Sequence, residues 1–465
     1  MLFTSFTFLV FVTITFVVYY LSSGERGQLL VLIGASLLFY AWNFPVLLLL
    51  LIGSILVNWC TTYGILFTPV PGRRKKLATL GVVLNLGILA FFKYSPLLGG
   101  TFFPAGSGVG EFLLAIPLPI GISFFTFQGI SLIVDTYRER EVAAPAPGTR
   151  PVSLLGSIAF YLAFFPQLIA GPIVKAHEFL PQIGRKRFRD ISWAVVFRSL
   201  VLGYFLKMVV ADNLKDHTLW MSFPYFRNMA ASDLLGLLFG YSVQIFADFA
   251  GYSLIAIGLA RAFGYVLPEN FSFPYISTSF SEFWRRWHIS LSTFLKEYLY
   301  VPLGGNRKGR ARTYVNLMVT MTLGGLWHGA AWSYAVWGVY HGLALGLERL
   351  SRDYGFRPLR NVWLRRLWVF GMVTLGWLLF RLPEFSHALL YVEKIFSNKP
   401  LGNFERTGLV LAYSAPVVAY HLAYLWLDRD TDLYRRWLRP VAYGAMLFLI
   451  LTNAGSAAGF IYFQF

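Results

Sequence analysis

The chain has 465 residues, of which 57% are hydrophobic, 18% aromatic and only 13% charged. Soluble domains carry about 25% charged residues, so this composition excludes a soluble globular protein and indicates an integral membrane protein. The formal net charge of +18 does not indicate nucleic-acid binding, because the basic residues lie in short loops between apolar segments, where they mark the cytoplasmic side and attract anionic membrane lipid.

Long apolar segments follow one another along the chain, and each predicts a membrane helix. A full crossing needs about 20 apolar residues, and several segments are shorter, so we expect some of them to be re-entrant or tilted. Hydropathy predicts about ten to twelve transmembrane helices. The segments cover residues 3–22, 28–44, 45–62, 77–93, 117–135, 153–174, 193–212, 232–262, 366–386, 407–427 and 438–453.

Basic loops predict the orientation of these helices. Clusters at 73–76 and 138–150 place the start of the chain on the non-cytoplasmic side, and the cluster at 429–439 places residues 460–465 outside. The basic loop 175–190 breaks this alternation, because 136–150 is already cytoplasmic. We therefore expect residues 153–174 to enter the membrane and return, which requires irregular backbone that is buried in protein or lines a cavity. The first segment has no basic leader and no cleavage site, so it is expected to remain as a helix.

The chain is predicted to be a single integral-membrane domain over residues 1–465. Residues 141–151, with three prolines and a glycine, form the clearest linker, and we find no internal repeat and no soluble domain. Polar residues collect in one region, 265–350, which we predict to be catalytic. Within it, residues 279–300 mix Trp284 and Trp287 with Arg285 and Arg286, a pattern typical of the membrane interface or the rim of a cavity.

The most informative residue is His328. It lies in a 35-residue stretch, 313–347, that contains no Asp, Glu, Lys or Arg. A titratable group inside a membrane segment is costly to bury and therefore indicates a functional site. At about 1.5 Å per residue this stretch is too long for one crossing, which predicts a bend near 329–333. Backbone N–H groups freed at such a bend could stabilise an oxyanion. His341, on the following helix, is predicted to be a packing residue or a site residue.

A desolvated histidine suits general-base chemistry, because it stays neutral and can accept a proton. Such proton transfer contributes about 10²–10⁴-fold in rate, and it fits a hydroxyl that attacks an activated acyl group. The sequence contains no Cys/His cluster, no His-Glu-x-x-His and no Gly-x-Ser-x-Gly motif. We therefore expect no metal and no permanently bound cofactor. The single cysteine, Cys60, excludes an intrachain disulfide.

Six segments and the last residues together resemble the membrane-bound O-acyltransferase family, and within it the bacterial type that serves alginate or cellulose O-acetylation. The resemblance extends over nearly the whole chain, and its two histidine motifs are highly specific. The segments are Pro119-Ile120-Gly121-Ile122-Ser123-Phe124, Ile169-Ala170-Gly171-Pro172, Asp248-Phe249-Ala250-Gly251-Tyr252-Ser253, Phe283-Trp284-Arg285-Arg286-Trp287-His288-Ile289-Ser290-Leu291-Ser292, Pro302-Leu303-Gly304-Gly305-Asn306-Arg307, Gly325-Leu326-Trp327-His328-Gly329 and Tyr462-Phe463-Gln464-Phe465.

The resemblance implies a fold and a function. The fold is a ring of membrane helices around a thinned centre, with a tunnel that links the two sides. The function is an O-acetyltransferase of the bacterial inner membrane that takes acetyl from cytosolic acetyl-coenzyme A and passes it outward. A periplasmic acetyltransferase of the SGNH type then places it on an exopolysaccharide. His328 carries the role of the family's catalytic histidine, and His288 that of its second site residue.

The other predicted site residues form three groups, and two of these groups allow two interpretations. Arg285, Arg286, Arg307 and Lys308 suit the phosphates of the coenzyme or mark topology and lipid contact. Asp248 with Tyr252 would fix a histidine tautomer or make a helix-packing hydrogen bond. The tryptophans that flank the two histidines are expected to contact the donor. They are Trp284, Trp287 and Trp327.

Two other functions stay open at this point. The D-alanine transfer protein of teichoic acid modification shares both histidine motifs and uses an acyl-carrier protein as donor. A transporter of polysaccharide or acetyl groups would show paired repeats with broken helices, and none is evident. The sequence does not decide between direct transfer of the acetyl group and an acetyl-histidine intermediate.

Overall fold

The computed structural model describes residues 1–104, 106–139, 151–169, 171–356, 359–402, 404–427, 434–456 and 459. These residues form helices and connecting loops, and no β-strand occurs among them. The α-helices are α1 Phe6–Leu21, α2 Gly24–Ala41, α3 Leu47–Phe67, α4 Pro71–Phe102, α5 Gly108–Leu114, α6 Ile122–Tyr137, α7 Pro151–Ala163, α8 Phe165–Leu168, α9 Ala176–Phe179, α10 Trp193–Tyr204, α11 Asp212–Thr218, α12 Ala231–Ala262, α13 Phe280–Arg286, α14 Ile289–Leu295, α15 Arg310–His328, α16 Trp332–Asp353, α17 Val362–Arg381, α18 Phe385–Ser397, α19 Phe404–Trp426 and α20 Arg439–Thr452.

Shorter helical turns connect these elements. Three are π-helical, at Phe205–Ala211, Lys296–Tyr300 and Tyr434–Leu438. The 3₁₀ turns are Leu180–Gln182, Phe188–Asp190, Leu219–Met221, Tyr225–Asn228 and Pro274–Ile276. Some sequence features lie outside the described residues: the linker up to residue 150, Ala170, residues 429–433 of the last basic loop, and residues 460–465.

Every apolar segment predicted from the sequence contains a helix, which confirms the all-α fold of a multi-pass membrane protein. Six helical segments in the described part of the chain are long and apolar enough to cross a membrane: Leu47–Phe67, Pro71–Phe102, Trp193–Met221, Ala231–Ala262, Val362–Arg381 and Glu405–Trp426. The helices at Phe6–Leu21 and Pro151–Ala163 are apolar but shorter. The ring around a thinned centre stays a prediction.

The segment 153–174 turns back on itself. Helix α7 ends at Ala163, four residues form α8, and the described residues between α8 and α9 are not helical. The Tyr161 hydroxyl donates a hydrogen bond of 2.7 Å to the carbonyl oxygen of Val174, so the chain returns beside α7. This reversal agrees with the re-entrant path that the basic loop 175–190 predicts.

The described helices pack into two compact units. The first comprises residues 1–199 and 255–268, and the second comprises residues 200–254 and 269–465. Helices α10 and α12 contribute to both. The single integral-membrane domain over 1–465 stays a prediction. All the site residues predicted from the sequence belong to the second unit.

Helices α15 and α16 of the second unit form the bend that the uncharged stretch predicts. Helix α15 ends at His328 and α16 begins at Trp332, which confirms a break near 329–333. The two helices approach at backbone distance: a Cβ on Gly325 would lie 2.2 Å from the Tyr334 carbonyl oxygen, and a Cβ on Gly338 would lie 2.4 Å from the Met321 carbonyl oxygen. Only glycine fits such a contact.

Gly338→Ala is therefore expected to destabilise the protein by about 1–3 kcal/mol, because the added methyl group meets backbone atoms that cannot yield. The midpoint of thermal unfolding in detergent, followed by size-exclusion chromatography, measures the effect. Gly346→Ala is the matched control on the same helix, since its Cβ would have its nearest neighbour at 3.8 Å. Equal midpoints for the two variants would contradict the close approach of α15 and α16.

Candidate active site

His328 is the last residue of α15, and its side chain is only 3% exposed. Aromatic rings surround it. Its ring centroid lies 5.2 Å from that of Trp337 on α16 and 5.3 Å from that of Phe380 on α17. The predicted position beside a helix break is thus confirmed, while the role of backbone N–H groups at the break stays a prediction.

His288 lies between the short helices α13 and α14 and is fully buried. Its φ angle of 43° is in the left-handed region, which costs a non-glycine residue about 1–2 kcal/mol. Such strain persists only where the surrounding structure enforces it, and it is concentrated at functional sites. The ring centroids of His288 and His328 are 6.2 Å apart, and the Phe249 ring of α12 stands edge-on to His288 at 4.6 Å.

Asn270 holds the backbone that carries His288. Its carbonyl oxygen accepts a 2.9 Å hydrogen bond from the N–H of Ile289. Its side chain donates to the Ser253 hydroxyl at 3.0 Å and accepts from the Ser290 hydroxyl at 2.6 Å. Asn270 is itself buried, so this network ties the strained turn to α12. Asn270 cannot be identified from the sequence, because an isolated asparagine in a loop carries no signal of its own.

Neither ring nitrogen of His288 has a hydrogen-bond partner among the described residues. Buried polar atoms are nearly always paired, and His288 departs from this rule at both of its ring nitrogens. His288 lies outside the six helices long enough to cross a membrane, and burial lowers its pKa to about 3. The imidazole is therefore neutral at physiological pH, and one of its nitrogens is available to accept a hydrogen bond.

The other predicted aromatic and histidine residues form one cluster around this pair. Trp327 lies 6.0 Å from His288, measured between ring centroids. His341 is fully buried and lies 4.7 Å from Trp337 and 5.3 Å from Trp284. Trp287 stacks on Phe283 and contacts Trp377.

A cavity of about 170 Å³ borders His328. Its walls come from α13, α14, the π-helix after α14, α15 and α16, and they are mostly apolar. The lining residues are Trp284, Leu291, Ser292, Leu295, Lys296, Tyr300, Leu317, Thr320, Met321, Gly324, His328, Trp337 and Leu345. The cavity is large enough for the reacting end of a substrate, and His328 lies on its wall.

The four predicted donor-binding cations differ in their surroundings. Arg286 is engaged: its guanidinium forms an ion pair of 2.9 Å with Glu282 and donates to the Ser272 carbonyl oxygen. Arg285 is exposed and donates to the hydroxyl of Ser281. Arg307 and Lys308 lie exposed in the turn before α15. Arg286 thus stabilises the contact between α13 and the loop that contains Ser272, whereas the other three cations are accessible.

Asp248 and Tyr252 belong to a buried ionic cluster that the sequence analysis did not foresee. The ammonium of Lys207, in the π-helix after α10, bonds to Asp248 and to Asp212, each at 2.7 Å. It also lies 5.5 Å from the centre of the Tyr252 ring. These contacts favour the helix-packing interpretation of Asp248. In the described residues no group of three or more His, Cys, Asp or Glu could hold a metal ion.

Comparison with known proteins shows the family to which this chain belongs. The model of the membrane-bound O-acyltransferase family matches residues 36–380. A probable alginate O-acetylase of Pseudomonas putida is 36% identical over 100% of both chains. A peptidoglycan O-acetyltransferase of Helicobacter pylori is 37% identical over 77% of this chain and 72% of its own. A teichoic acid D-alanyltransferase of Bacillus subtilis is 26% identical over 58% of this chain and 70% of its own.

Lys207→Met is expected to destabilise the protein by about 3–5 kcal/mol, because it removes the ammonium that pairs with two buried carboxylates. The thermal midpoint in detergent measures the loss. The control is a triple variant, Lys207→Met with Asp212→Asn and Asp248→Asn, which removes every charge of the cluster and should recover most of the stability. A single Lys207→Met variant as stable as the wild type would contradict the buried ionic cluster.

Proposed function

This chain is an acyltransferase that belongs to the membrane-bound O-acyltransferase family, and we propose that it transfers acetyl groups from acetyl-coenzyme A toward the hydroxyls of an exopolysaccharide. The names of the alginate and peptidoglycan relatives support a glycan at the cell surface as the final acceptor. Cellulose, the other polymer considered from the sequence, is named for none of the three relatives.

The observation that carries the proposal is a pair of buried histidines, one of which borders a cavity. His288 and His328 lie 6.2 Å apart between ring centroids, and His328 borders the cavity. Two imidazoles at this spacing can act on one acyl group. One accepts the proton of the attacking hydroxyl, and the other contacts the substrate. Burial among aromatic rings excludes water, which would otherwise hydrolyse the thioester.

The reaction that we propose is a balanced acyl transfer. His328 accepts the proton of the acceptor hydroxyl, whose oxygen attacks the acetyl carbonyl carbon. The tetrahedral intermediate then expels the thiolate of coenzyme A, which takes the proton. His288 orients the acetyl group. A variant of the same chemistry, in which a nitrogen of His328 first takes the acetyl group, gives the same products.

The side of entry and the partner are also part of the proposal. The donor approaches from the cytoplasm, where the exposed Arg285, Arg307 and Lys308 suit its phosphates. The acetyl group leaves on the outer side of the bacterial inner membrane to a periplasmic acetyltransferase of the SGNH type. Acetyl-coenzyme A is a substrate in this scheme, not a resident cofactor.

The D-alanyl alternative has less support. The teichoic acid relative is 26% identical over 58% of this chain, whereas the alginate relative is 36% identical over the whole chain. The family match over residues 36–380 favours an enzyme over a transporter.

Purified wild-type protein is expected to release coenzyme A from radiolabelled acetyl-coenzyme A and to pass the label to an acceptor. His328→Ala should lower the rate by about 10²–10⁴-fold, the usual contribution of a positioned base. His421→Ala is the matched control, because His421 is also 3% exposed, lies in an aromatic cluster of the same unit and does not border the cavity.

Three outcomes would count against the proposal. If the wild type neither transfers the label nor releases coenzyme A, acetyl-coenzyme A is not its donor. If His328→Ala keeps full activity, His328 is not the general base of the reaction. Transfer of D-alanine from an acyl-carrier protein, with acetyl-coenzyme A inert, would establish the alternative function.

A further inference from the structure

We infer that the indole N–H groups of Trp337 and Trp284 hold the carbonyl oxygen of the acyl donor and stabilise the oxyanion that forms on it. This inference rests on the proposed acetyl transfer. Trp337, which has no motif of its own in the sequence, thereby receives a role. The predicted contact of Trp284 with the donor becomes a hydrogen bond to the carbonyl oxygen while the oxyanion forms.

Both tryptophans lie on the wall of the cavity that borders His328. Trp337 is 1% exposed, and its ring stands nearly perpendicular to that of His328, at 87° and a centroid distance of 5.2 Å. The Trp284 ring lies 5.7 Å from the Trp337 ring. Two indoles on neighbouring helices therefore converge beside the residue assigned as base.

The indole nitrogens are buried donors that have no acceptor. Neither Trp284 Nε1 nor Trp337 Nε1 has a hydrogen-bond partner among the described residues. Tryptophan is a donor only, and a buried donor is nearly always paired. Both tryptophans line the cavity, and two such unpaired donors beside it indicate that the natural occupant presents a hydrogen-bond acceptor to them.

The remaining polar groups of the cavity define that occupant further. The hydroxyl of Thr320 donates to the Asn316 carbonyl oxygen, and that of Tyr300 donates to the side chain of Asn306. The hydroxyl of Ser292 donates to the Trp287 carbonyl oxygen in the same way. Lys296 adds a cation to the wall. Because the protons of these hydroxyls are engaged, the donors available to an occupant are the indole N–H groups and the ammonium of Lys296, which suit the carbonyl oxygens of a thioester arm.

An oxyanion needs donors, and the end of α15 does not supply them. The last turn of a helix presents unpaired carbonyl oxygens and a partial negative charge, and His328 is the last residue of α15. When the hydroxyl oxygen attacks, the π electrons of the acetyl carbonyl move onto its oxygen, and they return when the thiolate leaves. The indole hydrogen bonds would be strongest between these two events.

Trp337→Phe tests the assignment, because it keeps an aromatic ring and removes the N–H group. We expect kcat for acetyl transfer to fall by about 10²–10³-fold, the usual effect of one oxyanion donor, with little change in KM. Trp284→Phe should show the same pattern with a smaller loss. Trp377→Phe is the matched control, since Trp377 is as buried as Trp337 and stacks on it at 5.8 Å but does not border the cavity.

A second measurement does not depend on turnover. The S-ethyl thioether of coenzyme A lacks the carbonyl oxygen, so the wild type should bind it more weakly than it binds acetyl-coenzyme A, and Trp337→Phe should reduce that difference. Unchanged kcat in both cavity variants, or an equal loss in Trp377→Phe, would overturn the inference and leave the proposed function intact. A wild type that transfers no acetyl would overturn both.

Discussion

Backbone contact between α15 and α16 is the constraint on which the site depends. Gly325 and Gly338 allow the two helices to touch without an intervening side chain, and His328 at the end of α15 is consequently held against Trp337. Lipid tails are as apolar as leucine, so membrane helices gain little from the hydrophobic effect when they associate, and close packing of small residues takes its place. The same contact that stabilises the helix pair therefore also orients the proposed base.

Polar contacts, rather than close packing, position the second histidine. Asn270 fastens the strained turn at His288 to Ser253 of α12, and α12 is itself fixed through Asp248 to the buried ammonium of Lys207. Buried charges are tolerated when each is paired and hydrogen-bonded, and here one ammonium serves two carboxylates. The site is thus assembled from a glycine contact on one side and a buried polar network on the other.

The sequence was sufficient to predict the all-α membrane fold and the helix break, because each of these features is visible in a local pattern. Its two histidine motifs also identified His288 and His328, whose rings lie 6.2 Å apart in the fold, and their roles stay a prediction. The sequence was not sufficient to predict Lys207 as the partner of Asp248, since 41 residues separate them and only the packing of the π-helix after α10 against α12 brings them together. Trp337 was missed for a related reason: one tryptophan among many aromatic residues gains meaning only when the structure shows it beside His328 without an acceptor.

Acyl transfer at His328, as we propose it, implies that a reactive analogue of the acetyl group modifies this residue. An affinity label provides the test: bromoacetyl-coenzyme A, a thioester that carries a bromoacetyl group in place of the acetyl group, alkylates the nucleophile nearest to the acyl position, with loss of bromide. Mass spectrometry of the digested protein should locate the modification on His328, and unmodified acetyl-coenzyme A should prevent it. Modification at a residue outside the cavity, or labelling that acetyl-coenzyme A does not prevent, would contradict the account.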